Sequence, residues 1–111
     1  MDRDYVHRNF GGKCKPGDIA PYVIVTGSKA RVRSLASRWD QYQEVADDYE
    51  YLVCTGTLSG QMISACSTGI GGMSVAIAVE ELARLGATTL LRIGVTSPLA
   101  DELNYGDLIL A

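Results

Sequence analysis

The stretch from Ser64 to Ser97, SACSTGIGGMSVAIAVEELARLGATTLLRIGVTS, admits few folds. An apolar run, Met62 to Cys66, predicts a strand that enters a loop rich in Gly, Ser and Thr. The spacing of Val75, Ala78, Val79, Leu82 and Leu85 then predicts a helix over Met73 to Leu85, because these residues fall on one face. Gly86 stops it, and Thr88 to Ile93 reads as a second strand ending at Gly94. This is a βαβ unit. Ligands collect in such units where strands end and helices begin, since free backbone N–H groups and the helix dipole point there. Two candidate site loops follow, Ser67 to Gly72 and Gly94 to Ser97.

The rest of the chain extends the same pattern. Residues 1–20 read as an irregular N-terminal arm punctuated by Gly11, Gly12, Pro16 and Gly17, and residues 21–111 as the α/β domain. His7 is the only histidine, a surface residue or a catalyst. Tyr22 to Val25 predicts a short buried strand, followed by Thr26-Gly27-Ser28 and a helix through Val32, Leu35 and Ala36. A glycine directly after a strand, with Ser28 able to cap the helix, makes either an anion cradle or an ordinary turn with Lys29 and Arg31 in solvent. Residues 40–67 read as three strands, Gln43 to Asp47, Tyr49 to Thr55 and Gln61 to Cys66, the last two joined by a hairpin turn over Gly56 to Gly60. Asp47, Asp48 and Glu50 form an acidic cluster that is either a solvated edge or part of a metal site. After a loop from Pro98 to Asn104, Tyr105 to Ala111 reads as the start of another strand. The expected architecture is a three-layer α/β/α domain, incomplete, with two helices and about six strands in a mixed central sheet.

Composition narrows the functional classes. With 111 residues, 47% hydrophobic and 21% charged, the chain is expected to be one globular domain with a modest core. A net charge of −3 and a pI near 5.0 give no electrostatic footprint for nucleic acid. No apolar run approaches the roughly 20 residues needed to span a bilayer, and the charged start MDRDYVHRNF is unlike a signal peptide. Cys14, Cys54 and Cys66 are odd in number and lack CxxC spacing, which favours a reducing compartment, by default the cytoplasm.

Several segments together resemble the nucleoside phosphorylase family, most closely its uridine phosphorylase branch. They are GDIAPYVIVTG (Gly17 to Gly27), ARV (Ala30 to Val32), CSTGIGG-S (Cys66 to Ser74), AIAVEELARLGA (Ala76 to Ala87), LRIG-T (Leu91 to Thr96) and YGDLIL (Tyr105 to Leu110). The resemblance implies phosphorolysis: phosphate attacks C1′ of a ribonucleoside and releases base and ribose 1-phosphate, with phosphate as co-substrate and no cofactor. It implies phosphate binding by Gly27, Arg31 and Arg92, with Arg92 as the catalytic residue. It also implies contacts of His7, Thr96 and Ser97 with the nucleoside, and a monovalent cation held between subunits by Glu50, Ile70 and Ser74. Partners are then nucleoside, phosphate and further copies of the chain, as a dimer or trimer of dimers.

The chain departs from the family pattern at the site itself. Val95 replaces a phosphate-binding threonine, and Tyr49 falls where a neighbouring subunit's arginine is supplied. Ser97 replaces the glycine that lets the base lie against the backbone, Ser28-Lys29 replaces Asp-Pro, and Met73 replaces a proline. Family members are roughly twice as long, and their base-reading segment falls beyond Ala111. Three functions stay open: a uridine phosphorylase-type pentosyltransferase, a nucleoside- or phosphate-binding paralogue without turnover, and a nucleoside hydrolase.

Overall fold

The computed structural model describes residues 14–111, folded as β1 (Tyr22–Thr26), α1 (Lys29–Ala36), β2 (Gln41–Asp48), β3 (Tyr51–Leu58), β4 (Gln61–Ser67), α2 (Gly72–Arg84) and β5 (Thr89–Arg92). The five strands form one sheet in the order β2-β3-β4-β1-β5. β1 runs parallel to both neighbours, pairing Val23 with Ser64 on one side and with Leu90 on the other. β2, β3 and β4 are joined by antiparallel ladders, so the sheet is mixed. The predicted βαβ unit is β4–α2–β5, with β1 lying between its two strands.

Alternation along the strands decides what covers each face. Val23, Val25, Val53 and Cys66 pack with Ala78 and Leu82 of α2 and with Leu85 at its C-cap, together with Cys14 and Ile19. Ile24, Leu52, Cys54 and Ala65 point the other way and pack with Val32 and Ala36 of α1 and with Trp39. Successive strand residues face opposite sides, so a strand that is apolar throughout needs a helix on both. The result is the expected α/β/α layering. Ser64 ties the segment before β1 to the sheet: its Oγ accepts from the Ala20 amide at 2.8 Å and lies 2.7 Å from Thr55 Oγ1.

Helix ends follow their sequence signals. Ser28 caps α1 by accepting from the Arg31 amide at 3.2 Å. At the other end of α2, Gly86 has φ +112°, and the Gly86 and Ala87 amides donate to Ala83 and Leu82 at 3.2 and 3.0 Å. That is a Schellman stop, which favours glycine because the left-handed conformation penalises a Cβ.

Two expectations need correction. The β3–β4 turn is only Ser59-Gly60, both with positive φ (51° and 79°), so β3 runs on through Leu58. Such a two-residue turn matches the twist of its strands. Gly56 lies inside the ladder, opposite Tyr42 and Ile63, where a Cβ would overlap the Gln41 carbonyl and approach Tyr42 Cα to 2.8 Å. Second, Tyr105 to Ala111 forms no strand. An apolar run supplies side chains but not a partner edge, and this segment pairs with neither β2 nor β5; Tyr105, Leu108 and Leu110 are fully exposed. Among the described residues the sheet therefore has five strands, and no helix is long and apolar enough to cross a membrane.

Two predictions follow from this packing. Gly56→Ala should destabilise the chain by about 1–3 kcal/mol, the range for overpacking, read from the urea midpoint. Stability should also fall in alkali. Burial raises the Cys14 thiol to about 12 and Cys54 to about 11, and raises Cys66 as well. An unfolded thiol ionises near 8.5, so above that pH the unfolded state loses protons first. The stabilisation is complete below about pH 8.5 and declines as pH climbs towards 11–12, which urea melts at pH 7 and 10 would register.

Candidate functional site

The sheet reverses direction of winding between β1 and β4. These neighbours are parallel, yet β1 leads into α1 on one face and β4 leads into α2 on the other. Outside the carboxyl ends of the strands at such a reversal lies the crevice in which open α/β sheets bind ligands. Both loops named in the sequence, together with the Gly27 turn, lie at this end.

The two turns flanking the crevice are bonded together. The Thr68 amide donates to the Thr26 carbonyl at 2.9 Å, and a Cβ on Gly27 would lie 3.6 Å from the Gly69 carbonyl oxygen. Gly69 has φ +67°, and a Cβ there would come within 2.6 Å of Glu50 Cγ. Glycine at 69 is therefore required twice, by backbone conformation and by the side chain of the β2–β3 turn. Ser67 fixes that turn from below, donating to the Glu50 carbonyl at 2.6 Å and accepting from the Leu52 amide at 2.8 Å.

The predicted phosphate residues occupy neighbouring positions. Gly27 ends β1, Arg31 lies in the first turn of α1, and Arg92 ends β5 opposite Val25. Arg31 and Arg92 are exposed, and neither pairs with a carboxylate among the described residues. The Arg92 guanidinium folds back over Gly94, where a Cβ would collide with it. Val95 is 80% exposed, and Thr96 and Ser97 are exposed on the unpaired segment after β5. His7 lies outside the described residues.

Of the three residues suggested for a cation, two are directly linked. The Ser74 hydroxyl donates to the Ile70 and Gly71 carbonyls at 3.3 and 3.0 Å, while its carbonyl accepts from Tyr51 Oη at 3.0 Å. Glu50 lies alongside at Gly69. Among the described residues, no group of three or more His, Cys, Asp or Glu side chains could hold a metal ion.

Sequence reading missed an ionic network beside the site. Lys29 Nζ lies 2.6 Å from Asp47 Oδ1, and Arg33 bridges Glu44 at 2.8 Å and Asp47 at 3.1 Å. Lys29 is thus paired, and the acidic cluster is divided: Asp47 faces α1, Asp48 Oδ1 accepts from the Tyr49 amide at 3.0 Å, and Glu50 packs on Gly69. The hydrogen bond from Lys29 holds the Asp47 carboxyl below its ordinary range. The available signal was spacing: Lys29 and Arg33 are four apart on a helix, facing Glu44 and Asp47 of one strand. A second missed feature is Thr26, 1% exposed, whose hydroxyl has no hydrogen-bond partner.

Comparison with known proteins places this geometry. The phosphorylase superfamily profile matches residues 21–111. A uridine phosphorylase of Thermococcus kodakarensis is 49% identical over 98 residues, covering 88% of this chain and 35% of that protein. A guanosine phosphorylase of Halorubrum lacusprofundi is 39% identical, covering 86% and 39%. Among solved structures, uridine phosphorylase from Vibrio fischeri superposes with a TM-score of 0.71 at 42% identity, covering 73% of this chain and 34% of that one. Purine nucleoside phosphorylase from Toxoplasma gondii, in complex with immucillin-H, gives 0.70 at 38%, covering 72% and 32%. The chain spans little more than a third of the length of the curated relatives it matches. A mixed sheet with helices on both faces, a reversal of winding between β1 and β4 and this extent of agreement have one reading: the chain belongs to the phosphorylase superfamily, with the uridine and purine nucleoside phosphorylases, and corresponds to their N-terminal part.

Proposed function

We propose that the chain forms the phosphate-holding part of a nucleoside phosphorylase-type pentosyltransferase that acts on uridine or a related nucleoside. The observation that carries this reading is the reversal of winding between β1 and β4, with Gly27 directly after β1, Arg31 in the first turn of α1 and Arg92 at the end of the neighbouring strand β5. A backbone N–H at a strand-to-helix turn and two guanidinium groups suit a tetrahedral oxyanion. A phosphate oxygen bonds to C1′ as the C1′–N bond breaks, and the base leaves with the bonding electrons. Arg31 and Arg92 orient the dianion against an oxocarbenium-like sugar, so catalysis is positioning and electrostatics. Thr96 and Ser97 lie on the nucleoside side, and His7 reaches the ribose 5′-hydroxyl from a neighbouring subunit. Homo-oligomerisation, as a dimer or trimer of dimers, a monovalent cation at Glu50, Ile70 and Ser74, and cytoplasmic location belong to the same proposal.

A binding protein without turnover is the second reading. It is favoured by two exposed positions, Tyr49, which offers phosphate no guanidinium, and Val95, which offers it no hydroxyl. Base release from uridine separates the readings. Release that requires phosphate supports the transferase, release without phosphate indicates hydrolysis, and ligand binding without release supports the binding protein.

Phosphate affinity should be weak in either case. Two missing charge-assisted hydrogen bonds are worth about 1.5–3 kcal/mol each. Together, if independent, they amount to roughly 3–6 kcal/mol, on the order of 10²–10⁴ in dissociation constant. A micromolar site would become millimolar or weaker. Val95→Thr with Tyr49→Arg should recover part of that loss in a calorimetric phosphate titration. Tight binding by the parent, or no gain in the double variant, would contradict the assigned geometry.

A further inference from the structure

The first turn of α1 has an unusual charge arrangement. It carries Lys29 and Arg31 and no acidic residue, although the positive end of the helix dipole disfavours cations there. Glu44 and Asp47 of β2 pair with Lys29 and Arg33, whereas Arg31 pairs with no carboxylate among the described residues. Asp47 is bonded twice, by Lys29 and by Arg33, whereas Lys29 has Asp47 alone. Lys29 can therefore leave without stranding Asp47, which keeps Arg33.

Position makes that departure useful. Asp47 pairs with Leu52, the Leu52 amide is bonded to Ser67, and Ser67 pairs with Thr26, so Asp47 lies in the row of the sheet that ends at the crevice. Lys29 is two residues from Gly27, within about 7 Å along the backbone and well inside the reach of a lysine side chain. In the nucleoside phosphorylases that this chain resembles, the position of Lys29 is a proline, which offers no charge.

Resting on the phosphate reading above, we infer that Lys29 is a further phosphate-binding cation of this chain, held by Asp47 when the site is empty and transferred to the oxyanion when it fills. Its ammonium then contributes a positive charge that Tyr49 does not. Asp47 acts as a positioning residue that sets how readily the lysine is released.

The test is a titration with inorganic phosphate at constant ionic strength, followed by NMR, on the parent, Lys29→Met, Asp47→Asn, the double variant and Arg31→Met. Circular dichroism melts verify folding, and Lys29→Gln replaces Lys29→Met if the latter melts early. Lys29→Met should weaken phosphate about two- to fivefold, and Asp47→Asn should tighten it by a similar factor, the range of an exposed charge pair. The double variant should match Lys29→Met, because the gain from Asp47→Asn requires the lysine. Tightening that persists in the double variant would mean that the lost negative charge alone is felt, and would overturn the role of Lys29. An unchanged Lys29→Met alongside a weakened Arg31→Met would overturn it too, leaving the phosphate reading intact. No phosphate binding by the parent, or an Arg31→Met variant that binds as the parent does, would remove both.

Discussion

The structure depends on the insertion of β1 between β4 and β5. Its two partners come from distant parts of the chain, so closing these ladders costs loop entropy that local contacts cannot offset. The compensation is burial on both faces at once. Val23 and Val25 are 2% exposed beneath α2, and Ile24 turns towards α1 with Val32 and Ala36 fully buried above it. A central parallel strand without both helices would leave one apolar face in water. The reversal of winding follows from the same arrangement, because α1 and α2 cover opposite faces although the strands that lead into them are parallel neighbours.

The two edges of the sheet differ sharply. β2 is protected as a natural edge, with Gln41, Gln43 and Glu44 exposed, Asp47 tied to α1, and a register irregularity between Glu44 and Ala46. β5 has four residues, and Leu91 within it and Ile93 just after it are 55% and 46% exposed. Leu99, Tyr105, Leu108 and Leu110, later in the chain, are fully exposed. Charge guards one side of the sheet and apolar area marks the other.

Sequence alone reveals whatever depends on local geometry. The α2 helix is legible to within a residue at each end because its apolar stripe and Gly86 are both local signals. The β1–α1 turn is legible because Ser28 is a cap with the helix directly behind it. Gly56 misleads, since a glycine between two strand-like runs looks like a turn residue; its true cause is the close approach of β2, a non-local contact. Tyr105 to Ala111 misleads for a related reason, as strand propensity does not create an edge to pair with. The Lys29–Asp47 pair left only the four-residue spacing of Lys29 and Arg33 as a signal, and the bonds between the Thr26 and Thr68 turns left none, because each joins elements whose adjacency exists only after the sheet is ordered.

Three of the positions at which the sequence is expected to depart from the family pattern, Tyr49, Val95 and Ser97, are exposed. Gly69 and the buried Thr26, Ser67 and Thr68 shape the two turns, and changing any of them would disturb backbone or core. Tyr49 and Val95, by contrast, are 72% and 80% exposed, and Ser97 is exposed as well. Tyr49 already holds φ at 49°, so another non-glycine residue there meets the same backbone strain. Exchanging Val95 or Ser97 therefore leaves the scaffold in place, since exposed substitutions away from caps and turns usually change stability by no more than about 0.5 kcal/mol, and one fold can carry different chemistries on such positions.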